Sequence, residues 1–204
     1  MKATHLISLL LGSAALAVAA RATLITLDTS SLAGGTYFVD FQLNDGSQTG
    51  DGNNTAVIQK FSFGGGAATG AGVAFGGITG DLYSKVTLTD TTPFNEFFQS
   101  FTAGSFLSFD VELTNNPDTP QPDAFGFALL DTNLFNLPTN SSNGADTFLS
   151  VNLTGTRLVY STAAGVGGVP APRVPETGST LLVASLGLLG LAGIRRLVGV
   201  PLAA

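Results

Sequence analysis

The chain has 204 residues, of which 44% are hydrophobic and only 11% are charged, and its formal net charge is −6. It contains no cysteine, which excludes disulfide bonds, thiolate nucleophiles and cysteine-ligated metal centres. The only histidine is His5. If the N-terminal segment is removed, the remaining chain has no imidazole, which excludes Ser-His-Asp catalysis and histidine-ligated metals in it.

Residues 1–22 have the layout of a secretory signal peptide. Lys2 is followed by 15 apolar or small residues, Leu6 to Ala20. A charged start, a short apolar core and an A-x-A cleavage site are the parts of such a signal, and Ala20 and Ala22 fit the cleavage site. The apolar stretch is shorter than the roughly 20 residues that a membrane-spanning helix needs. We therefore expect an exported protein whose mature chain starts at Thr23.

Residues 23–162 are predicted to form an all-β domain, a jelly-roll-like sandwich of two antiparallel sheets. Apolar and polar side chains alternate in segments that are separated by glycine, asparagine and proline, which is typical of strands with one buried face. All 18 aromatic residues fall within 23–169, which supplies a core. The predicted strands are Leu24–Leu27, Tyr37–Leu43, Ala56–Phe63, Ser84–Thr89, Ser105–Thr114, Ala124–Leu130, Thr147–Leu153 and Thr156–Ser161.

Two segments of this domain do not alternate in this way. Within residues 92–101, four phenylalanines have helical spacing behind Thr92, a plausible N-cap, and Pro93, which suits the first helical position. This pattern predicts one short helix packed over a sheet edge, with a further strand as the alternative. Gly64 to Gly80 contains eight glycines in 17 residues and predicts a long surface loop. No lysine and helix follow it in the register of a phosphate-binding loop.

The charge balance of the domain is strongly acidic. Between residues 23 and 169 there are 13 acidic and three basic residues, a net charge of −10. Such a surface repels phosphate backbones, so we expect no binding of nucleic acid.

The loop from Asn44 to Asn54 is the candidate metal site. Calcium takes six to eight oxygen ligands from carboxylates, amides and backbone carbonyls, and Asp45, Asp51 and Asn53 offer such oxygens, with Asn54 beside them. The register of an EF-hand is absent, and the same residue types build ordinary solvated turns. Calcium is thus a possible ligand of this loop, and no other cofactor is expected.

Five carboxylates are candidates for glycoside hydrolysis, which requires two acids and no histidine. Asp110 and Glu112 stand two residues apart on one strand face, about 7 Å from each other. Alternating carboxylates are also what solvated strand faces carry, so we expect no catalytic residues. The five are Glu96, Asp110, Glu112, Asp123 and Asp131.

Sugar binding is an open alternative. Flat sugar-stacking platforms mostly use tryptophan or tyrosine, whereas this chain has no tryptophan, three tyrosines and 15 phenylalanines. The alternation directs most of the phenylalanines into the core. This composition disfavours a flat platform, but leaves room for a sugar site based on calcium or hydrogen bonds.

The C-terminal part combines a flexible linker at residues 163–173 with a segment at 174–204 that resembles a membrane anchor. Leu181 to Ile194 carries no charge and is followed by Arg195 and Arg196. A membrane helix over residues 180–194 is short for the hydrocarbon core, but snorkelling arginines and local thinning close the gap. The arginines place the chain end in the cytoplasm and the domain outside it.

This C-terminal segment resembles the PEP-CTERM sorting signal of Gram-negative bacteria, closest to its Val-Pro-Asp-Ser-Gly variant. The shared features are a Val-Pro-acidic motif, an apolar Gly/Leu-rich helix and an arginine cluster. Thr177 stands where the family usually has proline, and eight residues follow the arginines. Val-Pro-Glu-Thr-Gly is also similar to the Leu-Pro-x-Thr-Gly sortase motif, from which its first residue differs. The motif residues are Val174, Pro175, Glu176, Thr177 and Gly178, with Arg195 and Arg196 after the helix.

The resemblance implies processing by an exosortase, a membrane-embedded transpeptidase that acts near the Pro-Glu motif. The domain itself resembles those of small proteins of this group, through the runs Val39–Gly46, Phe61–Gly66, Phe94–Gln99 and Gly104–Phe109. We therefore expect a precursor anchored transiently in the inner membrane, then a non-enzymatic structural or adhesive protein of the outer envelope or extracellular matrix. Exopolysaccharide is its expected matrix partner. A lectin-like carbohydrate-binding module is the first alternative and a carboxylate-dependent glycoside hydrolase the second.

Overall fold

The computed structural model describes residues 22–142 and 144–175, which form two antiparallel β-sheets. The predicted signal peptide up to Arg21, the membrane helix at 180–194 and the motif residues from Glu176 onward lie outside the described residues. Within those residues, no helix has the length and apolarity to cross a membrane. The strands are β1 (Thr23–Asp28), β2 (Thr36–Asn44), β3 (Thr55–Ser62), β4 (Ala67–Ala68), β5 (Val73–Phe75), β6 (Gly77–Gly80), β7 (Lys85–Thr89), β8 (Phe94–Thr102), β9 (Phe106–Leu113), β10 (Asp123–Leu130), β11 (Leu149–Leu153) and β12 (Tyr160–Thr162), with a 3₁₀ turn at Ser30–Leu32.

Every strand pairing is antiparallel. The first sheet has the order β1-β9-β3-β7-β6, and the second has the order β12-β11-β10-β2-β8-β4, with β5 also pairing with β8. The longest pairings are β2 with β8 and β2 with β10, so β2 lies at the centre of the second sheet. The all-β prediction with antiparallel sheets is confirmed.

The two sheets pack against each other through a phenylalanine-rich core. Phe41 of β2 meets Phe109 of β9 edge to face, with ring centroids 5.2 Å apart, and Phe127 of β10 lies 5.1 Å from Phe109. All three rings are fully buried. Burial of one such side chain stabilises a fold by about 1.5–3 kcal/mol. The alternation seen in β2 and β9 therefore places their apolar residues between the sheets, as predicted.

The predicted helix at residues 92–101 is wrong, because strand β8 occupies Phe94–Thr102. Phe97 and Phe101 point into the core, while Phe94 and Phe98 point outward. Asn95, before Phe97, and Gln99, between Phe97 and Phe101, also point inward, and both are fully buried. Polar residues at these core positions break the apolar alternation of a strand, which left the helical spacing as the stronger pattern.

The predicted long loop at Gly64–Gly80 is also wrong, since it contains the short strands β4, β5 and β6. This segment crosses from the second sheet to the first, pairing with β8 and then with β7. Gly76 has a φ of +80°, and a side chain there would collide with Asn95. Glycine is required where the segment passes so close to β8.

Asn95 and Gln99 hold this glycine-rich segment in place. The Asn95 Oδ1 accepts a hydrogen bond from the backbone N–H of Gly77 at 2.9 Å, and the Gln99 Oε1 accepts one from Leu82 at 2.9 Å. The Gln99 amide also donates to the carbonyl of Gly70 at 3.0 Å. The buried amides therefore replace backbone pairing that a regular strand would supply.

The end of the domain differs from the predicted strand and flexible linker. The strand expected at Thr156–Ser161 is shorter and later, Tyr160–Thr162. The segment expected as a linker at 163–173 packs on the domain: Val169 is 4% exposed and belongs to the core, and Arg173 exchanges two backbone hydrogen bonds with Thr26 of β1, at 3.1 and 2.7 Å. The apolar Val169 covers the core, which explains why this segment does not lead away from it.

Candidate functional site

Four aspartates meet at one end of the two sheets. Asp45 follows β2, Asp90 follows β7, Asp123 begins β10, and Asp118 lies in the loop between β9 and β10. We call this group the aspartate cluster. Asp45, Asp90 and Asp123 are fully buried, and one oxygen from each of Asp45, Asp118 and Asp123 lies within 4.8 Å of the others.

Asp45 organises the loop that follows it. Its Oδ1 accepts hydrogen bonds from the Ser47 N–H and hydroxyl, both at 2.7 Å, and from the Gln48 N–H at 3.2 Å. Its Oδ2 accepts one from the Gly50 N–H. Burial by itself raises the pKa of Asp45, but the hydrogen bonds from Ser47 and Gly50 outweigh it and lower the pKa below its usual value. The carboxylate thus acts as a charged centre for a tight turn.

Asp118 and Asp123 attach the same loop to the rest of the domain. Asp118 accepts from the Ser47 N–H at 2.8 Å, and Asp123 accepts from the Gly46 N–H at 2.7 Å. The second oxygen of Asp123 accepts from the side-chain amide of Asn54 at 2.6 Å. The loop is therefore fixed at two of its backbone N–H groups, those of Gly46 and Ser47, by carboxylates from distant parts of the chain.

Asp90 lies beside Asp123 and binds the backbone of Asn54. Its two oxygens accept from the Asn54 N–H at 3.0 and 3.1 Å. Burial, and next the neighbouring carboxylate of Asp123, raise the pKa of Asp90 well above its usual value. Burial and a neighbouring carboxylate both disfavour the charged form of Asp90.

The aspartate cluster differs from the predicted calcium loop in its members. Asp45 belongs to it, whereas Asp51 and Asn53 bond to each other at the surface, with the Asn53 amide donating to Asp51 at 2.9 Å. Three convergent carboxylates have the chemistry that calcium prefers. Each of their six oxygens, however, already accepts a hydrogen bond from an N–H group. Calcium binding here stays a prediction.

A second group of carboxylates lies on the side of the second sheet that faces away from the core, which we call the outer face. The Gln42 amide nitrogen donates to Asp40 at 2.8 Å and to Glu96 on the neighbouring strand at 3.3 Å. Asp40 is only 1% exposed, although the sequence pattern had placed it toward solvent. Burial, and next the charge of Glu96, raise the pKa of Asp40 to about 7, and burial also raises the pKa of Glu96.

The other candidate acids are dispersed. Asp110 and Glu112 lie on the opposite side of the molecule, on the solvent side of β9, where Asp110 forms an ion pair with Lys60 at 2.7 Å. Asp131 accepts hydrogen bonds from the N–H groups of Phe135 and Asn133, and the bond from Phe135, foremost, lowers its pKa. Among the five acids proposed from the sequence, only Glu96 shares a side-chain amide with a second carboxylate. That amide belongs to Gln42, and the second carboxylate is that of Asp40.

Sequence reasoning missed Asp90, Asp118 and Asp40 as members of these groups. Asp90 and Asp118 lie in turns rich in threonine, asparagine and proline, where aspartate is common for local reasons. Asp40 occupies a position that alternation assigns to solvent. The pairing of β2 with β8 brings Asp40 to Glu96, and the pairing of β3 with β7 brings Asp90 to Asn54.

Comparisons with known proteins add no relative: no protein-family model, no curated protein and no solved structure matches this chain.

Proposed function

We propose that this chain is an exported, exosortase-sorted protein of the cell surface or extracellular matrix with a structural or adhesive role and no catalytic activity. Its domain is a jelly-roll-like sandwich that is held first in the inner membrane and then transferred to the outer envelope or matrix. The proposal rests on the signal-peptide layout before Thr23 and on the sorting-signal pattern from Val174 onward.

One feature of the structure supports it: the two ends of the domain lie side by side. Thr26, near the start of β1, exchanges backbone hydrogen bonds with Arg173, just before the sorting motif. The Tyr160 hydroxyl also donates to the Thr23 hydroxyl at 3.1 Å. Both terminal segments therefore leave the domain at one edge of the first sheet. An attachment at that edge leaves the outer face of the second sheet free for a partner.

The surroundings of three of the five candidate acids, Asp110, Asp123 and Asp131, support a non-catalytic role. Asp123 and Asp131 accept hydrogen bonds from backbone N–H groups and so fix loops, and Asp110 is paired with Lys60. A glycosidase requires two acids that flank a substrate bond, one of them free to donate a proton. Acids engaged in holding loops and ion pairs do not provide this arrangement.

A reporter fusion tests the sorting part of the proposal. Residues 174–204 are fused to a secreted reporter and produced in a host with an exosortase and in the same host lacking it. We expect a shortened reporter at the cell surface or in the medium only when the exosortase is present. The matched control replaces Arg195 and Arg196 by alanine and should leave the reporter unprocessed. Identical processing in both hosts would overturn the proposal.

A further inference from the structure

The outer face carries a carboxylate surrounded by phenylalanine rings. Glu96 lies on β8 between the outward-pointing Phe94 and Phe98, and its pairing partner on β5 is Phe75. We call these three rings the phenylalanine cup. Phe75 is 52% exposed and Phe94 is 47% exposed. Large apolar side chains that cluster on a surface mark interaction sites more often than isolated ones do.

The cup is supported by ring contacts rather than by isolated side chains. The Phe98 ring lies 6.2 Å from Phe75 and 6.2 Å from Phe38 of β2. The Phe38 contact is edge to face, an arrangement that fixes ring orientation. The rings of Phe75 and Phe98 are therefore held in place before any ligand arrives, which reduces the entropy cost of binding.

The outer face is rich in hydrogen-bond acceptors around Glu96, and its strands carry no cationic side chain. Asp40 Oδ1 and Asn44 Oδ1 are both buried without a hydrogen-bond partner, and Asp40 as a whole is 99% buried. They alternate with Gln42 along β2, on the side that faces Glu96. None of the seven strands of the second sheet contains lysine or arginine. Arg157 lines a pocket with Ser150 and Asn152 at the β11 end of this face, three strands away from Glu96 on β8. A ligand that fits this face must therefore supply donors and positive charge.

Beside β2, strand β10 forms a floor without bulky side chains. Ala124, Gly126 and Ala128 pair with Asn44, Gln42 and Asp40 and lie on the same face. Farther on, Ser150 and Asn152 of β11 line a cleft of 340 Å³ with the hydroxyl groups of neighbouring residues. A shallow trough with aromatic rings on one side and hydroxyl groups on the other suits an extended chain of sugar rings better than a compact ligand.

We propose that the outer face binds an amine-bearing glycan, a polymer of hexosamine units that have lost their N-acetyl groups. Sugar rings pack on Phe75 and Phe94, and an ammonium group is placed between the ring faces and the Glu96 carboxylate, which combines cation–π attraction with a charge-assisted hydrogen bond. Asp40 lies buried beside Glu96 and does not touch the ligand. This inference names the partner of the adhesive role proposed above and rests on that role for the source of the glycan.

Binding is measured by calorimetry on the full-length chain in mild detergent. The probes are a glucosamine oligomer, its fully N-acetylated counterpart of the same length and an oligolysine. We expect saturable binding of the glucosamine oligomer that weakens with salt, and binding of the acetylated oligomer that is at least about tenfold weaker, because acetylation removes the ammonium group. Equal affinity for both oligomers would overturn the amine preference, and stronger binding of oligolysine would overturn the choice of a glycan.

Variants assign the binding to the cup. Glu96→Gln keeps the shape and the hydrogen bond with Gln42, so we expect it to weaken glucosamine binding about tenfold and to leave the acetylated oligomer unaffected. Phe75→Ala should weaken both. The controls are Glu112→Gln on the other sheet and Phe135→Ala, a 71% exposed ring in a turn.

If Glu112→Gln weakened binding of the glucosamine oligomer as much as Glu96→Gln does, the attraction would be unspecific, and the assignment of the site to the phenylalanine cup would be wrong. Circular dichroism of each variant establishes that the fold is intact. Absence of any glycan binding would reject this inference while leaving the processing of the reporter fusion unchanged, so the two proposals fail separately.

Discussion

Replacing Asp40 by asparagine should remove a pH-dependent weakness at the centre of the second sheet. The Asp40 carboxyl is buried, with Glu96 as the nearest charge, and its pKa is raised to about 7. In the unfolded chain an aspartate has a pKa of about 4. Between these values the native state binds the proton that the unfolded state has released, so stability falls as the pH rises. Asparagine does not titrate, so the stability of Asp40→Asn should not fall in this way as the pH rises.

The size of the effect follows from the two pKa values. Below about pH 4, Asp40 is protonated in both the folded and the unfolded state, and its contribution to the free energy of unfolding is complete. This contribution is lost as the pH rises through about 7. Between about pH 5 and about pH 8, the free energy of unfolding of the wild type should fall by about 3 kcal/mol, whereas that of Asp40→Asn should not show this fall. The slope is about 1.4 kcal/mol per pH unit below the pKa of the folded state. Asp40 also binds Gln42 and pairs with Phe98 and Ala128 on the neighbouring strands, and none of these three residues titrates.

Urea unfolding of the full-length chain, followed by circular dichroism at both pH values, measures this difference. Glu96 and Asp90 also have raised pKa values and contribute to the pH dependence of both proteins. The decisive quantity is therefore the difference in the free energy of unfolding between the wild type and Asp40→Asn at each pH. The control is Asp51→Asn, at an exposed acid that bonds only to its neighbour Asn53. A gap between wild type and Asp40→Asn that does not change with pH would refute the assignment of a buried, protonated Asp40.

The remaining predictions concern the loop and the glycine-rich segment. Asp45→Ala leaves the N–H groups of the following turn without their acceptor, so we expect a loss of about 3 kcal/mol in urea unfolding, against less than about 0.5 kcal/mol for Asp51→Ala; equal losses would contradict the aspartate cluster as the anchor. Gln99→Ala should lower the free energy of unfolding by about 2 kcal/mol and make the segment from Gly64 to Gly80 sensitive to limited proteolysis. The control Gln59→Ala should do neither. Unchanged proteolysis of Gln99→Ala would show that the short strands stay in place without Gln99. Calcium bound by Asp45, Asp118 and Asp123 should raise the melting temperature of the wild type and not that of Asp118→Asn, and a titration without any effect would exclude it at the concentrations used.

Most of the fold was predictable wherever each strand has one apolar face. In β2 and β9 the alternating phenylalanine, valine and leucine residues identify the buried face directly, because side chains of a strand point to opposite sides in turn. The strands of the Gly64–Gly80 segment were not predictable in this way. They are held by the amides of Asn95 and Gln99 from another strand, and glycine leaves no side-chain pattern to interpret.

The candidate sites were predictable only in part, because their residues are distant in the chain. Asp45 was identified from a loop rich in oxygen ligands, but its partner Asp118 is 73 positions away in the numbering and joins it only when β2 and β10 pair. Glu96 was identified as an acid. Its surroundings of phenylalanine rings depend on β8 being a strand, since a helix at the same residues would have placed Phe94, Phe97, Phe98 and Phe101 on one face.

The intact mass of the protein recovered from its exosortase-containing host tests export and sorting together. We expect a chain that starts at Thr23 and ends within the Val174–Gly178 motif, so that both terminal segments are gone and the domain with its outer face remains. Recovery from the cell surface or matrix should accompany this mass. A chain that keeps residues 180–194, or that keeps residues 1–22, would contradict the proposal that this protein is exported, sorted and displayed.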